Sequence, residues 1–251
     1  MENYYENQGG YQQYEQQYPQ SAPYSTGLEQ TTAFAQLMTK VYVWMTLALA
    51  VTGLTAYGVA HSPSMIYAIF GNQILIWGLI IAELALVIGL SAAINKISFT
   101  TAALLFVLYS VINGVTLSVI FLAYTESSIA KTFFVTAGAF AGMAFVGYTT
   151  KKDLSAMGKF LLFALIGLII ASIVNIFMKS SGFDFVISII GILIFAGLTA
   201  YDSQKIKKMF LAYGYEVNDE TQKLAVLGSL TLYLDFINLF LYLLRFMGRR
   251  N

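Results

Sequence analysis

The chain has 251 residues, of which 58% are hydrophobic and only 11% charged, and its mean hydropathy is +0.69. Because soluble proteins carry about 25% charged residues, this composition excludes an ordinary soluble domain and predicts a polytopic membrane protein. A formal net charge of +1 provides no basic surface for a nucleic acid, and the absence of cysteine excludes disulfides and cysteine-based metal or redox sites.

The N-terminal segment, residues 1–27, differs sharply from the rest of the chain. It is rich in Tyr, Gln, Asn, Glu and Gly and holds two of the three prolines, so it predicts a disordered Tyr/Gln-rich cytoplasmic tail. It has no basic stretch followed by an apolar one, which argues against a secretory signal peptide. Residues 28–251 are expected to form one transmembrane domain.

Seven hydrophobic runs follow the tail, and each is long enough to cross a bilayer, which takes about 20 apolar residues. They predict an all-α integral membrane protein with seven transmembrane helices. The third proline, Pro63, lies between the first two runs, so no spanning helix is expected to be kinked by proline. The runs cover residues 41–60, 74–94, 98–122, 130–148, 158–178, 183–207 and 224–244.

The lysines and arginines of the loops predict the orientation. With seven full crossings, nine of the fourteen lie on the side of the N-terminus, which favours a cytoplasmic N-terminus. If the last run instead re-entered and returned, twelve would lie on that side, which fits the charge rule better. Seven full crossings are preferred because the last run is long and uninterrupted, and the side of the C-terminus stays open.

Three acidic residues fall within the runs. Glu83 is in the middle of the second run, Asp235 is in the middle of the seventh, and Asp202 is in the cytoplasmic part of the sixth. A carboxylate at the membrane centre costs about 2.5–3.5 kcal/mol on insertion scales and is rarely left facing lipid. No Lys or Arg lies mid-span to neutralise these groups, so they predict a site for cations or protons.

The seventh run has a polar face, whose members recur at spacings of three or four. Leu, Ile and Phe occupy much of the remainder, so we expect other helices to surround this segment. The polar face consists of Gly228, Thr231, Asp235, Asn238, Tyr242 and Arg245.

Asp202 and Asp235 are expected at depths that allow them to meet. At about 1.5 Å per residue, Asp202 lies about 9 Å and Asp235 about 16 Å from the same membrane face. Two carboxylates in one desolvated site share a proton and titrate as a coupled pair, which predicts a pH sensor. Asn113 on the third run and Asn238 on the seventh are candidates for lining an ion path, with interhelical hydrogen bonding as the alternative.

Four segments resemble the transmembrane Bax inhibitor motif family in its bacterial branch, and the resemblance covers about residues 30–248. It implies six helices wrapped around a central C-terminal seventh. It also implies a pH-sensitive calcium leak in a bacterial inner membrane, with no enzymatic activity and with calcium as the transported ion rather than a cofactor. The segments are SVINGVTLS (110–118), KKDLS (151–155), AYDSQKIK (200–207) and LYLDFINLFLYLLRFMG (232–248).

The resemblance also assigns roles to individual residues. Asp202 and Asp235 match the family's paired aspartates, the implied pH sensor and a weak calcium site, and Glu83 matches its acidic residue on the second helix. In bacterial relatives an arginine at the end of that helix latches to the pair. Residues 93–96 read Ala-Ile-Asn-Lys here, so Lys96 is the one candidate latch. The implied partners are the lipid bilayer, calcium ions, protons and other membrane proteins.

Two other functions stay open. The chain could regulate membrane partners such as proteases or stress factors, through its tail or otherwise. It could also be an intramembrane aspartyl protease, because Tyr201-Asp202 and Asp235 resemble the two aspartates of presenilin-like enzymes. Those enzymes carry Gly-x-Gly-Asp and a later Pro-Ala-Leu, whereas this chain has Leu-Tyr-Leu-Asp at 232–235 and no proline after Pro63.

Overall fold

The computed structural model describes residues 27–213 and 217–251, so the predicted tail lies almost wholly outside the described residues. The described part is helical, with no strand beyond one isolated bridge. Its helices are α1 Gly27–Ala60, α2 Pro63–Phe70, α3 Gln73–Ala93, α4 Phe99–Leu117, α5 Val119–Ala123, α6 Glu126–Thr149, α7 Ser155–Met178, α8 Ser181–Tyr213 and α9 Asp219–Met247.

The prediction of seven spanning helices is confirmed. Within the described residues, seven helical segments are long and apolar enough to cross a membrane, with α4 and α5 together forming the third. The last helix begins at Asp219, five residues before the apolar run. The reason is a capping box: Asn218 Oδ1 accepts from the Thr221 amide at 2.9 Å, and Thr221 Oγ1 accepts from the Asn218 amide at 3.0 Å.

Helix α2, between the first two spans, was not predicted. Pro63 occupies its first turn, where the missing amide hydrogen is not needed and the fixed φ suits a helix. The helix has only 8 residues and buries none of them, and Tyr67 on it is 81% exposed. It is therefore a short surface helix outside the packed bundle.

The third span is interrupted at Ser118 without a proline. The Ser118 hydroxyl donates to the Val115 carbonyl at 2.7 Å, and Thr116 Oγ1 donates to the Ile112 carbonyl at 3.3 Å. Serine and threonine side chains that bond to carbonyls of the preceding turn compete with the helical ladder and bend helices. This local competition separates α4 from α5.

Helix α9 is the most buried of the spanning helices. Most of its residues are shielded from solvent, and it packs against α8, α1, α6 and α4, with a smaller contact to α3. Helix α7 packs chiefly against α8, and Ser172 of α7 lies near Tyr242 of α9. On the polar face of α9, Gly228 and Asp235 are buried and the other four residues are half-buried. The arrangement of all six helices around α9 stays a prediction at α7.

Helices α6 and α8 approach each other closely at Gly147. A Cβ added to this residue would lie 2.0 Å from the Ala200 carbonyl oxygen, a distance that requires the backbone to move. We expect Gly147→Ala to destabilise the protein, at the upper end of the roughly 1–3 kcal/mol typical of overpacking. Thermal unfolding of the purified protein in detergent measures the effect.

Gly142→Ala on the same helix is the matched control, because no heavy atom lies within 4 Å of a Cβ at that position. Alanine there is expected to be neutral or slightly stabilising. Equal losses for the two variants would show that the close approach of α6 to α8 does not limit stability.

The C-terminal residues pack at the end of the bundle opposite the start of α1. The Thr125 amide donates to the Arg249 carbonyl at 3.1 Å, and the Asn251 amide donates to the Ala123 carbonyl at 3.2 Å. The same end holds the turn after α1, because His61 Nε2 lies 3.2 Å from Glu126 Oε1. Helix α9 therefore crosses the whole bundle, and the re-entrant alternative is wrong.

Candidate functional site

The structure places Asp202 of α8 beside Asp235 of α9. Both side chains are buried, with exposed fractions of 8% and 5%, and the two carboxyl groups are in direct contact. Asp235 Oδ2 is shielded and has no hydrogen-bond partner among the described residues. Gly228 faces Ile206 across the two helices, which lets α8 and α9 approach closely near the pair.

A small cavity lies beside the pair. Its volume is about 60 Å³, and Asp202, Lys205 and Thr231 contribute to its walls. Lys205 lies three residues after Asp202 on α8, is exposed, and interacts electrostatically with both aspartates. The site thus combines two buried carboxyl groups with one ammonium group at its solvent side.

Lys96, the candidate latch, lies in the turn after α3. Its side chain is exposed, and it forms no ion pair with any residue that the structure describes. The cation beside the aspartates is Lys205, on the same helix as Asp202. In this conformation the second spanning helix contributes no base to the pair.

The loop between α6 and α7 is held against α8 next to Asp202. Gln204 is 5% exposed; its amide nitrogen donates to the Lys152 carbonyl at 2.8 Å, and its amide oxygen accepts from the Leu154 amide at 2.9 Å. These bonds join the KKDLS and AYDSQKIK segments and leave no polar group of Gln204 without a partner. They hold the C-terminal half of α8, and with it Asp202, in position.

An ion pair strengthens this contact. Lys208 Nζ lies 2.5 Å from Asp153 Oδ1, which also accepts from the Ser155 hydroxyl at 2.7 Å. The hydrogen bond from Lys208, supported by those from Ser155, lowers the pKa of Asp153 to about 2. The carboxylate therefore stays ionised, and the ion pair persists, until the pH falls to about that value.

A second polar cluster surrounds Tyr233, two residues before Asp235 and on another face of α9. Tyr233 is fully buried; its hydroxyl lies 2.6 Å from Thr52 Oγ1 and donates to Asn113 Oδ1 at 2.9 Å. Thr52 also donates to the Ser110 carbonyl at 2.9 Å. Helices α1, α4 and α9 are therefore joined by one hydrogen-bond network inside the membrane domain.

Glu83 belongs to this second cluster and not to the aspartate pair. It interacts electrostatically with Tyr109 and Tyr233. Its Oε1 atom is shielded and has no hydrogen-bond partner among the described residues. A buried carboxyl oxygen without a partner is costly unless it serves a bound ion or a proton, so Glu83 is the acidic group of this cluster.

The two asparagines proposed to line a path have different surroundings. Asn113 is buried and accepts from Tyr233, so it lies in the second cluster. Asn238 is half-buried and donates to the Leu234 carbonyl of its own helix at 2.8 Å. The interhelical hydrogen bonding considered as an alternative is present at Asn113.

Sequence reasoning missed Lys205, Tyr233 and Thr52. Lys205 could have been found, because a residue three positions after Asp202 shares its helix face. Tyr233 lies in an apolar run and away from the polar face of α9, and Thr52 is one hydroxyl in another apolar run, so no pattern singled them out. Their role depends on contacts between helices.

A larger cavity lies elsewhere in the described bundle. It is an apolar groove of about 1030 Å³ between α1 and α6, with Phe140 and Phe236 among its lining residues, and no charged side chain of the described residues lines it. No group of three or more His, Cys, Asp or Glu side chains converges within the described residues either. The aspartate pair and the Tyr233 cluster both lie outside this groove.

Known proteins are similar to this chain over almost the whole of its membrane domain. The family model described as "Inhibitor of apoptosis-promoting Bax1" matches residues 34–251. Inner membrane protein YbhL of Escherichia coli K12 is 48% identical over 230 residues, which are 91% of this chain and 98% of that protein. A Borreliella burgdorferi protein is 48% identical over 86% of this chain and 93% of its own length. Protein RP147 of Rickettsia prowazekii is 45% identical over 85% and 89%.

Proposed function

The chain belongs to the Bax inhibitor family of membrane proteins, and from this premise we propose that it is a pH-sensitive, calcium-permeable leak channel gated by Asp202 and Asp235. The observation that carries the proposal is the direct contact of two buried carboxyl groups inside the membrane domain. Two carboxylates in such a site resist ionising together, so the pair holds one proton between them. Gain or loss of that proton changes the repulsion between α8 and α9.

The surroundings of the pair support a role for protons. The charged group that acts on it is Lys205, whose ammonium favours the ionised carboxylates. Asp235 Oδ2 has no partner among the described residues and is free to take up a proton or contact an ion. Protonation at lower pH removes the attraction of the pair for Lys205, and we propose that this step opens the protein.

The small number of carboxylates supports conduction over tight binding. Ca²⁺ takes six to eight oxygen ligands, and the pair offers two carboxyl groups. A calcium ion at Asp202 and Asp235 would be held weakly and released readily, as conduction requires. We place Glu83 and Asn113 on the same path, farther from the sensor, with calcium as the transported ion.

We further propose that the protein resides in a bacterial inner membrane with its N-terminus in the cytoplasm. The relative from Escherichia coli is named an inner membrane protein. With α9 crossing the whole bundle, nine lysines lie at the N-terminal end and five lysines and arginines at the other, an asymmetry that favours a cytoplasmic N-terminus.

Calcium flux into proteoliposomes as a function of pH tests the proposal directly. We expect flux above that of protein-free liposomes, rising as the pH falls through a single transition. No flux at any pH would refute the channel. Flux without a transition would refute gating by the aspartate pair.

A pair of substitutions distinguishes the role of Lys205 from that of Lys96. Lys205→Met is expected to raise the midpoint pH of opening, because without the ammonium the carboxylates protonate more easily. The shift should be about 0.1–0.7 pH unit, since an exposed charge contributes about 0.2–1 kcal/mol and one unit corresponds to about 1.4 kcal/mol. Lys96→Met is expected to leave the midpoint unchanged, because Lys96 is exposed and away from the pair.

Flux against pH for the two variants and the wild type measures both shifts. A raised midpoint for Lys96→Met would instead support the latch that the family resemblance implies. Such a result would mean that Lys96 reaches the pair in another conformation.

The paired aspartates also support an intramembrane protease, which we place after a regulatory role through membrane partners. Against it, the cavity beside the pair has a volume of only about 60 Å³, too small for a peptide. We therefore propose that the chain is not an enzyme. A regulatory role through partners is tested by deleting residues 1–27, because a channel keeps its flux without them.

A further inference from the structure

A polar pocket lies at the end of the bundle far from the N-terminal end of α1. Its volume is about 440 Å³, and it is bounded by the turn between α7 and α8 and by the C-terminal end of the chain. The α7–α8 turn is shaped by Lys179, which ends α7 in the left-handed region with φ of 50°. This turn directs the chain around the pocket mouth.

The side chains that line the pocket are unbalanced in charge. Lys179, Arg245 and Arg250 contribute three positive charges, and Asp184 contributes one negative charge. Asp184 is already engaged, because it pairs with Arg245 and accepts from Asn175 Nδ2 at 3.1 Å. Two positive charges therefore face the pocket without an acidic partner.

The uncompensated cations are Lys179 and Arg250. Neither takes part in an ion pair with a residue that the structure describes. The Arg250 guanidinium lies 6.0 Å from the centre of the Tyr124 ring, which orients it without neutralising its charge. Like charges around one pocket repel each other, so an anion seated among them would stabilise the arrangement.

The chemistry of the pocket favours a phosphate group. Guanidinium groups bind phosphate oxygens through paired, charge-assisted hydrogen bonds, and lysine adds a mobile ammonium. Two free positive charges match the doubly charged form of inorganic phosphate and more than offset the single charge of a phosphodiester headgroup, and the pocket volume leaves room for a substituent. The pocket also lies at the ends of three spanning helices, at the depth where phospholipid phosphates are found.

We propose that this pocket binds a phosphate group through Lys179, Arg250 and Arg245. The group comes either from a phospholipid headgroup or from phosphate in solution. The site is separate from the aspartate pair and does not depend on the proposed channel function. Under the proposed orientation it faces away from the cytoplasm.

The test uses the full chain and two probes. Inorganic phosphate is titrated into the protein in uncharged detergent, with binding followed by calorimetry. The protein is also reconstituted into nanodiscs of phosphatidylcholine with a minor fraction of phosphatidylglycerol, and native mass spectrometry counts the anionic lipids retained. We expect saturable binding in at least one arm: binding of inorganic phosphate identifies a soluble anion, and selective retention of phosphatidylglycerol alone identifies a headgroup.

The double variant Lys179→Asn with Arg250→Gln removes the two free charges and keeps the Asp184–Arg245 pair. Asparagine tolerates the left-handed backbone at position 179, so the turn is expected to survive. Binding should weaken at least tenfold. Arg249→Gln is the matched control, because it removes the same charge one residue away from the pocket lining, and it should bind like the wild type.

Three results would overturn the proposal. The first is the absence of saturable binding in both arms, and the second is wild-type affinity in the double variant. The third is an equal loss for Arg249→Gln, which would indicate general surface charge. Thermal unfolding checks that the double variant is folded. If the double variant is not folded, Arg250→Gln alone replaces it, because Arg250 is exposed and near the end of the chain. This single variant should also bind phosphate more weakly than the wild type, with a smaller loss of affinity than that expected of the double variant.

Discussion

Replacing Asp235 with asparagine is expected to abolish the pH dependence of calcium flux. Asp235 is 5% exposed and in direct contact with Asp202, so an amide of nearly the same shape fits the site. The amide cannot share a proton, and by donating to the Asp202 carboxylate it favours the ionised form of that group, so the two residues no longer take up or release a shared proton. Flux in proteoliposomes should therefore be nearly constant across the pH range in which the wild type switches.

Asp219→Asn is the control for this prediction. Asp219 lies on the same helix, but its side chain is 63% exposed and pairs with Lys223. Its loss should leave the transition in place. If the Asp235→Asn profile instead overlays that of the wild type, the aspartate pair is not the sensor, whatever the size of the flux.

Glu83→Gln is expected to lower divalent flux at least tenfold while leaving the midpoint of the pH transition in place. The flux falls because Glu83 carries the acidic group of the Tyr233 cluster, and one of its oxygens has no partner among the described residues. A tenfold loss corresponds to about 1.4 kcal/mol. The midpoint stays because Glu83 is not in contact with the aspartate pair. Flux at full opening and the midpoint are read from the same pH series.

Glu220→Gln is the matched control, because Glu220 is an exposed acid in the first turn of α9. It should change neither quantity. A large shift of the midpoint with unchanged maximal flux in Glu83→Gln would exchange the assigned roles, with Glu83 as the sensor and the aspartates on the path.

The membrane domain was predictable from the sequence because its physical cause is local. A backbone in hydrocarbon must satisfy its own hydrogen bonds, so a run of about 20 apolar residues crosses the membrane as a helix. Seven runs therefore indicated seven spans. The acids within them stood out for the same reason, since a carboxylate at the membrane centre is too costly to be incidental.

Helix ends and interruptions were less predictable, because they depend on single side chains bonding to the backbone. The start of α9 at Asp219 depends on Asn218, and the break between α4 and α5 depends on Ser118. Helix α2 escaped prediction because its 8 residues are too few to span a membrane and carry no periodic signal of their own.

The sequence by itself determined that this is a helical membrane protein with three acids at membrane depth, because hydrophobic length and the cost of a buried charge are properties of single segments. Only the tertiary structure decided which acids meet. Helix rotation and packing bring Asp202 to Asp235, place Glu83 beside Tyr233 instead, and leave Lys96 exposed while Lys205 lies near the pair. Packing also takes the C-terminus to the far end of the bundle, a question that counting charges had left open. These outcomes depend on contacts between residues up to about 190 positions apart, and periodicity along one helix carries no information about them.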